Sequence, residues 1–206
     1  MDYSALKIST QKFYDGYAET YVKNRAAKPD EALGKFSAFL GGGSLAKYIL
    51  DVGCGGGRDM KALQSVGYKV VGVDFSQSMC AITHARGMAV ARADFEYLPF
   101  VSKPTFRGIW ARNSLLHVGK VFVPMILIRF YLMLYPGGVL FLGLKEGRDE
   151  EIKSTDLGIT LNSLWEQKEI KTLLRRTGFK ILESQCAKSG LPQNPYYAMN
   201  IFAKKY

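Results

Sequence analysis

The stretch ILDVGCGGGRDM, at residues 49–60, decides the fold class of this chain. A short apolar run, ILDV, leads directly into a loop rich in glycine and then into a helix-like segment. Because glycine has no Cβ, the main chain of such a loop can approach a ligand closely, and the helix that follows offers free amide groups. The stretch therefore predicts a strand, a ligand-binding turn and a helix, although a turn with only a structural role would also explain it.

The spacing of the glycines argues against two familiar phosphate-binding loops. Counting from Gly53 and Gly55, the third glycine of a G-x-G-x-x-G dinucleotide motif would fall at position 58, which is Arg58. A phosphate-binding loop of the G-K-S/T type is also absent, because that tripeptide does not follow the glycines. Asp51, at the end of the strand, suits a ligand with an ammonium group better than a pyrophosphate. S-adenosylmethionine is such a ligand.

Short apolar runs alternate with helical patterns along the middle of the chain. The strand-like runs are KYIL, KVVGV, GIWA and GVLFLGL. The helix-like segments between them are RDMKALQSVG, SQSMCAITHARG and VFVPMILIRFYLML. This alternation predicts an α/β fold, doubly wound around a parallel sheet with helices on both faces.

The two ends of the chain follow other patterns. Residues 1–45 predict one or two helices that end in a flexible GGGS loop at residues 41–44. The tail predicts a helix that ends near Gly178, followed by an antiparallel pair of strands that includes YYAMNIFAKKY. With 206 residues and no sign of a linker, the chain is expected to form a single domain over residues 1–206, with a helical segment 1–45 and a core 46–206.

The formal net charge of +10 favours anionic partners such as nucleic acid, or it only aids solubility. A modest basic cluster contains Lys168, Lys171, Arg175 and Arg176. No apolar stretch is long enough to span a membrane, and the N-terminus lacks the apolar region of a signal peptide. The sequence therefore predicts a cytoplasmic protein without a membrane partner.

The cysteines and histidines give no metal-binding or disulfide pattern. Cys54, Cys80 and Cys186 are scattered, and His84 and His117 are far apart in the sequence. Neither a zinc site nor a disulfide framework is indicated, so no metal cofactor is expected.

Carboxylates stand at the ends of three successive strand-like runs. Asp74 closes KVVGVD, where it can accept both hydroxyls of a ribose or cap the next helix. Ser76 could provide that cap instead, which favours the ribose. Asp94 and Phe95 follow the next short strand, where they would place an acceptor near an adenine amino group and an aromatic ring beside the base.

Taken together, these segments resemble the class I S-adenosylmethionine-dependent methyltransferases. The similarity runs over residues 47–146, through ILDVGCGGGRDM, VVGVDFSQSM, ARADFEYLPF, GIWARNSLLHV and MLYPGGVLFLGLKEG in the family's order. The resemblance implies a Rossmann-like, seven-stranded sheet whose last strand is antiparallel. It also implies S-adenosylmethionine as the methyl donor and an N-terminal helical cap.

The resemblance assigns a role to most residues of these segments. It implies that Gly53, Cys54 and Gly55 form the loop beside the methionine part, with Asp51 near its amino group. Further along the ligand, the implied contacts are Asp74 to the ribose, Phe75 and Met79 to the adenine face, Asp94 and Phe95 to the adenine edge and face, and Ala111 and Arg112 near the sulfonium. In the segment FYDGYAETY, Tyr14 or Tyr21 would cover the cofactor.

Two features depart from the family's pattern. The fourth strand-like segment opens with Phe106-Arg107-Gly108, where an aspartate is usual after the aromatic residue, and Arg112 and Asn113 replace small residues. Both departures bear on the acceptor rather than the cofactor. His117 is the candidate general base, but the same position also suits a packing role.

The acceptor is expected to be a small molecule that is methylated on oxygen, nitrogen or sulfur. No NPPY or DPPY segment follows the fourth strand, and no cysteine stands where an RNA-cytosine nucleophile would. An RNA methyltransferase remains an alternative because of the charge, and so does a silent S-adenosylmethionine-binding subunit. Asp59 is explained by the dipole of the helix whose first turn contains it. The sequence does not indicate an oligomeric state.

Overall fold

The computed structural model describes residues 2–24, 31–41, 48–98, 103–191 and 194–206. Residues 42–44 of the GGGS loop, and the expected boundary between residues 45 and 46, lie outside these ranges.

Helices and strands alternate through most of the described chain. The helices are α1 (Tyr3–Asn24), α2 (Glu31–Leu40), α3 (Arg58–Ser65), α4 (Gln77–Ala85), α5 (Val123–Met133) and α6 (Gln167–Arg176). The strands are β1 (Tyr48–Val52), β2 (Lys69–Asp74), β3 (Ala89–Arg92), β4 (Phe106–Arg112), β5 (Leu134–Lys145), β6 (Glu150–Thr155), β7 (Gly158–Ser163), β8 (Phe179–Leu191) and β9 (Asn194–Lys205).

Within the described ranges, seven strands form one sheet in the order β3-β2-β1-β4-β5-β9-β8. The first five are parallel, and β9 lies antiparallel between β5 and β8. This confirms the doubly wound, mostly parallel sheet with helices on both faces and an antiparallel last strand. The strand order reverses between β1 and β4, which places a crevice at the carboxyl ends of these two strands.

Both faces of the sheet are covered, which is why its central strands are continuously apolar. On one face α2 and α3 bury Phe36 and Met60 against Trp110 and Phe141 of the sheet. The Trp110 and Phe141 rings are stacked, with their centroids 3.9 Å apart. On the other face α5 and α6 contribute their buried residues to a larger cluster with β4, β5 and β9.

The two N-terminal helices have different roles, which restricts the cap predicted over residues 1–45. The apolar stripe of α2, with Phe36 and Leu40 fully buried, packs on the sheet face and not over the crevice. Helix α1 runs over the carboxyl edge of the sheet and contacts α4 and β7. Within the described residues, the cap from this segment is therefore α1 alone.

The hairpin of β6 and β7 was not anticipated from the sequence. It forms a separate two-stranded antiparallel sheet in which Lys153 pairs with Thr160 and Glu151 with Asn162. Every residue of β6 is exposed. Its sequence, EEIKST, accordingly lacks the alternation of apolar and polar residues that indicates a strand. A signal was nevertheless present, because Asp156-Leu157-Gly158 is a turn-like tripeptide followed by β-branched Ile159 and Thr160.

No helix in the described part of the chain is both long enough and apolar enough to cross a membrane.

The contact between α2 and the sheet can be tested at Gly108. A Cβ at this position would lie 2.6 Å from Phe36 Cζ and 2.9 Å from Ile49 Cδ1. We expect Gly108→Ala to destabilise the protein by about 1–3 kcal/mol through overpacking. Gly34→Ala, within α2 and with no atom within 4 Å of the new Cβ, is the matched control and should raise stability by up to about 1 kcal/mol. Urea unfolding of both variants would measure this, and equal midpoints would contradict the packing described here.

Candidate functional site

The glycine loop after β1 is tied to the end of β2 by its own amides. Gly53 and Cys54 donate their backbone N–H groups to the carbonyl of Val73, at 2.8 and 3.1 Å. The Gly55 N–H donates to Asp74 Oδ2 at 2.8 Å. Gly53 and Gly55 have φ angles of 71° and 52°, which other residues rarely adopt. The loop is therefore fixed against the sheet edge in a conformation that requires glycine.

Ser114 and Phe95 lie within contact distance of the glycine loop at Gly53. A Cβ at Gly53 would lie 2.4 Å from Ser114 Cβ and 3.3 Å from Phe95 Cζ. The bare main chain therefore fills a space that no larger residue could occupy.

Asp74 accepts hydrogen bonds from two separate segments. Besides Gly55 N–H, it accepts the N–H of Ser76 at 2.9 Å through Oδ1. The helix α4 itself is capped by Ser76, whose hydroxyl accepts the N–H of Met79 at 3.1 Å. Burial raises the pKa of Asp74, while the amide hydrogen bonds from Ser76 and Gly55 act to lower it.

A cavity of about 330 Å³ opens beside the loop, and it is called the main cavity here. Most of the residues expected to form a site line it: Tyr14, Tyr21, Gly53, Gly55, Asp74, Phe75, Met79, Asp94, Phe95, Arg112 and His117. The order of the carboxyl ends along the sheet brings these residues together. Asp94 follows β3, Asp74 ends β2 and the loop follows β1, so the lining follows the strand order.

Asp51 and Cys54 lie at a second opening on the other side of the loop, called the loop cleft here. This cleft shares Tyr21, Gly53 and Arg112 with the main cavity. Asp51 is only 2 % exposed, and its Oδ2 atom has no hydrogen-bond partner. Burial, and next the charge of nearby Asp59, raise the pKa of Asp51 well above its ordinary value.

Cys54 and Ala111 do not present their side chains to the main cavity. The Cys54 thiol packs with the α2 and α3 residues of the core, and burial raises its pKa far above the ordinary range. Ala111 is fully buried in the core and lines neither opening, because alternate residues of β4 face opposite sides of the sheet. The Ala111 side chain therefore does not line the cavity in which a bound sulfonium is expected.

Asp59 has a more specific role than interaction with a helix dipole. Its Oδ2 atom accepts the indole N–H of Trp110 at 2.8 Å and lies 3.3 Å from Arg112 Nε. Its Oδ1 atom lies 2.7 Å from Arg58 Nε. The Arg112 guanidinium also lies over the Trp110 ring, 4.7 Å from its centroid. Asp59 thereby positions the arginine that borders both openings.

Asn113 turns the chain from the end of β4 into the cavity. Its φ angle of 55° lies in the left-handed region, which asparagine tolerates better than most residues. Its N–H donates to the carbonyl of Gly143 at 2.8 Å. This geometry accounts for the departure from a small residue at this position.

The carboxylate of Asp94 is bound to the cap helix. Lys7 Nζ lies 2.5 Å from Asp94 Oδ2 and 3.1 Å from Glu96 Oε2. Asp94 Oδ1 accepts the N–H of Glu96 at 3.0 Å, and the Tyr3 hydroxyl donates to Glu96 at 2.5 Å. Lys7 also lies 5.9 Å from the centroid of the Phe75 ring. No sequence pattern predicted that Lys7 covers the end of the cavity beside Asp94 and Glu96.

Two further contacts fix α1 over the site. Asp15 accepts the Ser76 hydroxyl at 2.6 Å and the Ser78 N–H at 3.1 Å, next to the start of α4. On the opposite side, the Ile159 N–H of the hairpin donates to the Ser9 hydroxyl at 3.1 Å. The cap helix thus bridges α4 and the hairpin across the mouth of the cavity.

Tyr14 and His117 form a hydrogen-bonded pair within the lining. His117 Nδ1 lies 2.7 Å from the carbonyl oxygen of Leu161, and Nε2 lies 2.7 Å from the Tyr14 hydroxyl. Because a carbonyl only accepts, Nδ1 carries the proton and Nε2 accepts from the tyrosine. Burial lowers the pKa of His117 to about 4, and the charge of Lys145 also lowers it. His117 is therefore a neutral acceptor at pH 7.

Residues of β5, the hairpin and β9 also line the main cavity, and no sequence pattern predicted them as site residues. They are Lys145 at the end of β5, Lys153 and Thr155 of β6, Thr160 and Asn162 of β7, and Tyr196 of β9. The hairpin residues share one face, because the two strands pair Lys153 with Thr160 and Thr155 with Gly158.

Comparison with known proteins agrees with this geometry. Residues 49–138 match the family described as methyltransferase domain. The matched segment contains the glycine loop, Asp74 and Asp94, and the match supports the resemblance to the class I S-adenosylmethionine-dependent methyltransferases. No curated protein matches the chain by sequence.

Solved structures of low sequence identity share the fold of this protein. One is the 1,6-didemethyltoxoflavin-N1-methyltransferase of Burkholderia thailandensis, solved with 1,6-didemethyltoxoflavin and S-adenosylhomocysteine (TM-score 0.78, 19 % identity, 100 % of this chain and 91 % of that chain). Another is the magnesium protoporphyrin IX methyltransferase of Synechocystis PCC 6803 with bound S-adenosylmethionine (TM-score 0.73, 14 % identity, 100 % and 98 %). A third is the cyclase SpnF (TM-score 0.61, 20 % identity, 78 % and 74 %).

Two hydroxyls in the main cavity have no hydrogen-bond partner among the described residues. The Oγ1 atom of Thr10 and the Oγ atom of Ser114 are buried without a hydrogen bond, and both residues line the cavity. A buried polar group without a partner is costly, so these atoms indicate the place of a polar ligand.

The state of His117 can be tested by NMR titration of ¹⁵N-labelled imidazoles. We expect the Nδ1-protonated neutral form to persist down to about pH 4. Since the folded pKa lies below the ordinary 6.5, the unfolded chain binds more protons between these values. The contribution to stability is then complete above pH 6.5 and is lost as the pH falls through 4, by roughly 3 kcal/mol. Exposed His84 gives the reference signal, and a charged His117 at pH 6 would contradict the assignment.

Proposed function

We propose that this methyltransferase binds S-adenosylmethionine across the glycine loop and transfers its methyl group to an oxygen, nitrogen or sulfur atom of a small molecule. The observation that carries the proposal is the loop itself. Gly53 and Gly55 border both openings, and a partnerless carboxylate oxygen of Asp51 lies on one side. The carboxylate of Asp74 stands on the other side, at the end of the next strand.

The residues at the loop cleft fit the amino-acid part of the cofactor. Asp51 is a buried acceptor whose charged form is disfavoured by burial and by Asp59. A ligand ammonium group would relieve this by supplying the missing donor and the opposite charge. Arg112, which borders the same cleft, offers the opposite charge for a ligand carboxylate.

The residues at the other side of the loop fit a nucleoside. Asp74 remains at the surface of the main cavity while it anchors the loop, so the ribose hydroxyls are its natural partners. Phe75, Met79 and Phe95 supply apolar and aromatic surface for the adenine. A bound adenine would compete with Lys7 for the Asp94 carboxylate, because Lys7 already pairs with it.

The bound cofactor would supply a methyl group on a sulfonium, which is already an activated leaving group. The protein's own task is to align the acceptor and to keep water out. Helix α1 and the hairpin cover the cavity, and the Tyr14 hydroxyl donates a hydrogen bond to neutral His117. Tyr14 and His117 both line the main cavity, so this hydrogen-bonded pair can contact the molecule that receives the methyl group. A His117 pKa of about 4 makes the histidine a weak base, suited to positioning Tyr14.

The enclosed shape of the main cavity favours a small molecule over RNA. The cavity has a volume of about 330 Å³ and is bordered by the cap helix and the hairpin. Of the described residues, none on α6 lines it, so the basic face with Lys168, Lys171 and Arg175 lies away from the expected chemistry. We therefore interpret that face as the solvated side of an amphipathic helix.

A silent cofactor-binding subunit is the second candidate. SpnF, a cyclase, has the same fold, so the fold does not fix the chemistry. Methyl transfer from radiolabelled S-adenosylmethionine to any phenol, amine or thiol would exclude this candidate.

The cofactor proposal can be tested by calorimetric titration of S-adenosylmethionine. We expect Asp74→Ala to weaken binding by about tenfold to a hundredfold, because hydrogen bonds to a charged group are lost. Asp74→Asn keeps an oxygen that accepts an amide N–H and should preserve the fold. Asp156→Ala, in the exposed turn between β6 and β7, removes the same charge elsewhere and should leave binding unchanged. Folded wild-type protein that does not bind the cofactor would overturn the proposal.

The RNA alternative can be tested by binding of unfractionated tRNA at two salt concentrations. We expect any binding to be lost between about 50 and 200 mM salt, as for non-specific contacts with phosphates. Replacing Lys168, Lys171 and Arg175 by glutamine should remove that binding and leave S-adenosylmethionine binding intact. Tight tRNA binding that persists at 200 mM salt would favour the RNA reaction instead.

A further inference from the structure

Apart from Lys7, which is paired with Asp94 and Glu96, the charged residues that line the main cavity are separated by sign along the sheet edge. Among the described lining residues, the acidic ones are Asp74, Asp94 and Glu96, which follow β2 and β3. The basic residues beyond the strand reversal are Arg112, Lys145 and Lys153, on β4, β5 and β6. The sign of the lining therefore changes at the point where the strand order reverses.

The basic end coincides with the place left for the acceptor molecule. The glycine loop, Asp74 and the aromatic residues account for the nucleoside, and they lie over β1, β2 and β3. The remaining space lies over β4 and β5 and under the hairpin. The hydrogen-bonded pair Tyr14 and His117 borders this space. His117 carries no charge at pH 7, because its pKa is lowered to about 4.

Lys145 is the central cation of this end. It stands at the carboxyl end of β5, and its Nζ atom lies 4.7 Å from the centroid of the Tyr196 ring. Lys145 and His117 both line the cavity, and the charge of Lys145 contributes to the lowered pKa of His117. Lys153 is a second, more exposed cation, 3.6 Å from Glu151, a residue that does not line the cavity.

Neutral polar groups line the same cavity as the two lysines. Asn162 is 4 % exposed and lines the cavity, with its amide nitrogen 3.5 Å from the Thr160 hydroxyl. Thr10 contributes a buried hydroxyl without a partner. This end therefore offers positive charge and hydrogen-bond donors, while no described acidic side chain lines it.

On the basis of the proposed function, we infer that the acceptor is a small anion, whose carboxylate or phosphate group binds beside Lys145 under the hairpin. A cationic amine is disfavoured at this end, because two lysines would repel it. An anion, in contrast, would counter the positive charge of Lys145 and Lys153.

The inference can be tested by saturation-transfer NMR on protein saturated with S-adenosylhomocysteine. The probes are benzoate, its uncharged analogue benzamide, and phenyl phosphate. We expect the two anions to bind at least about tenfold more tightly than benzamide, and their ratio distinguishes a carboxylate from a phosphate site. Lys145→Met, which keeps the length of the side chain, should abolish this preference. Lys180→Met, a lysine of β8 beside Tyr206 that does not line the cavity, should retain it.

Each outcome decides the inference. Equal binding of benzoate and benzamide, no binding of either anion in the millimolar range, or a preference that survives in Lys145→Met would overturn it. Melting curves of both variants show whether they are folded, and titration of S-adenosylhomocysteine is performed on the same samples. If wild-type protein binds S-adenosylhomocysteine but not the anions, the inference fails while the proposed function stands. If it does not bind S-adenosylhomocysteine, the proposed function itself fails.

Discussion

The hydrogen bond from Gly55 N–H to the Asp74 carboxylate fixes the glycine loop against the second strand, and the site is organised around it. The same carboxylate accepts the Ser76 N–H at the start of α4, so one side chain joins the loop, the strand end and the helix. Asp15 of the cap helix then binds the Ser76 hydroxyl, which extends this network to α1. A change at Asp74 would therefore alter the shape of the cavity as well as its charge.

The part of the site that depends on local patterns could be predicted from sequence. Parallel strands end at one edge, so Asp51, Asp74 and Asp94 had to lie in strand order once the alternation of strands and helices was recognised. The choice of Ser76 as the cap of α4 also followed from local rules, and the structure agrees with it. The alternation of β4 turns the Ala111 side chain into the core, which the sequence pattern around it did not indicate.

The rest depends on contacts between distant parts of the chain, which local patterns do not specify. Lys7 meets Asp94 and Tyr14 meets His117 across about ninety to one hundred residues of sequence. The hairpin was missed because its first strand is exposed along its whole length and shows no apolar alternation. Asp59 looked like an ordinary first-turn carboxylate, and only the fold brings it to Trp110 and Arg112.

The ion pairs of Lys7 have a kinetic consequence. They join the cap helix to the segment after β3, so a nucleoside bound as proposed would leave only when those contacts part. Dissolved salt weakens attraction between partly exposed charges. The residence time of a bound nucleoside should therefore shorten as ionic strength rises, and turnover should respond to salt even when the acceptor is uncharged. Salt sensitivity of the overall rate is thus a property of the cap and says nothing by itself about a polyanionic substrate.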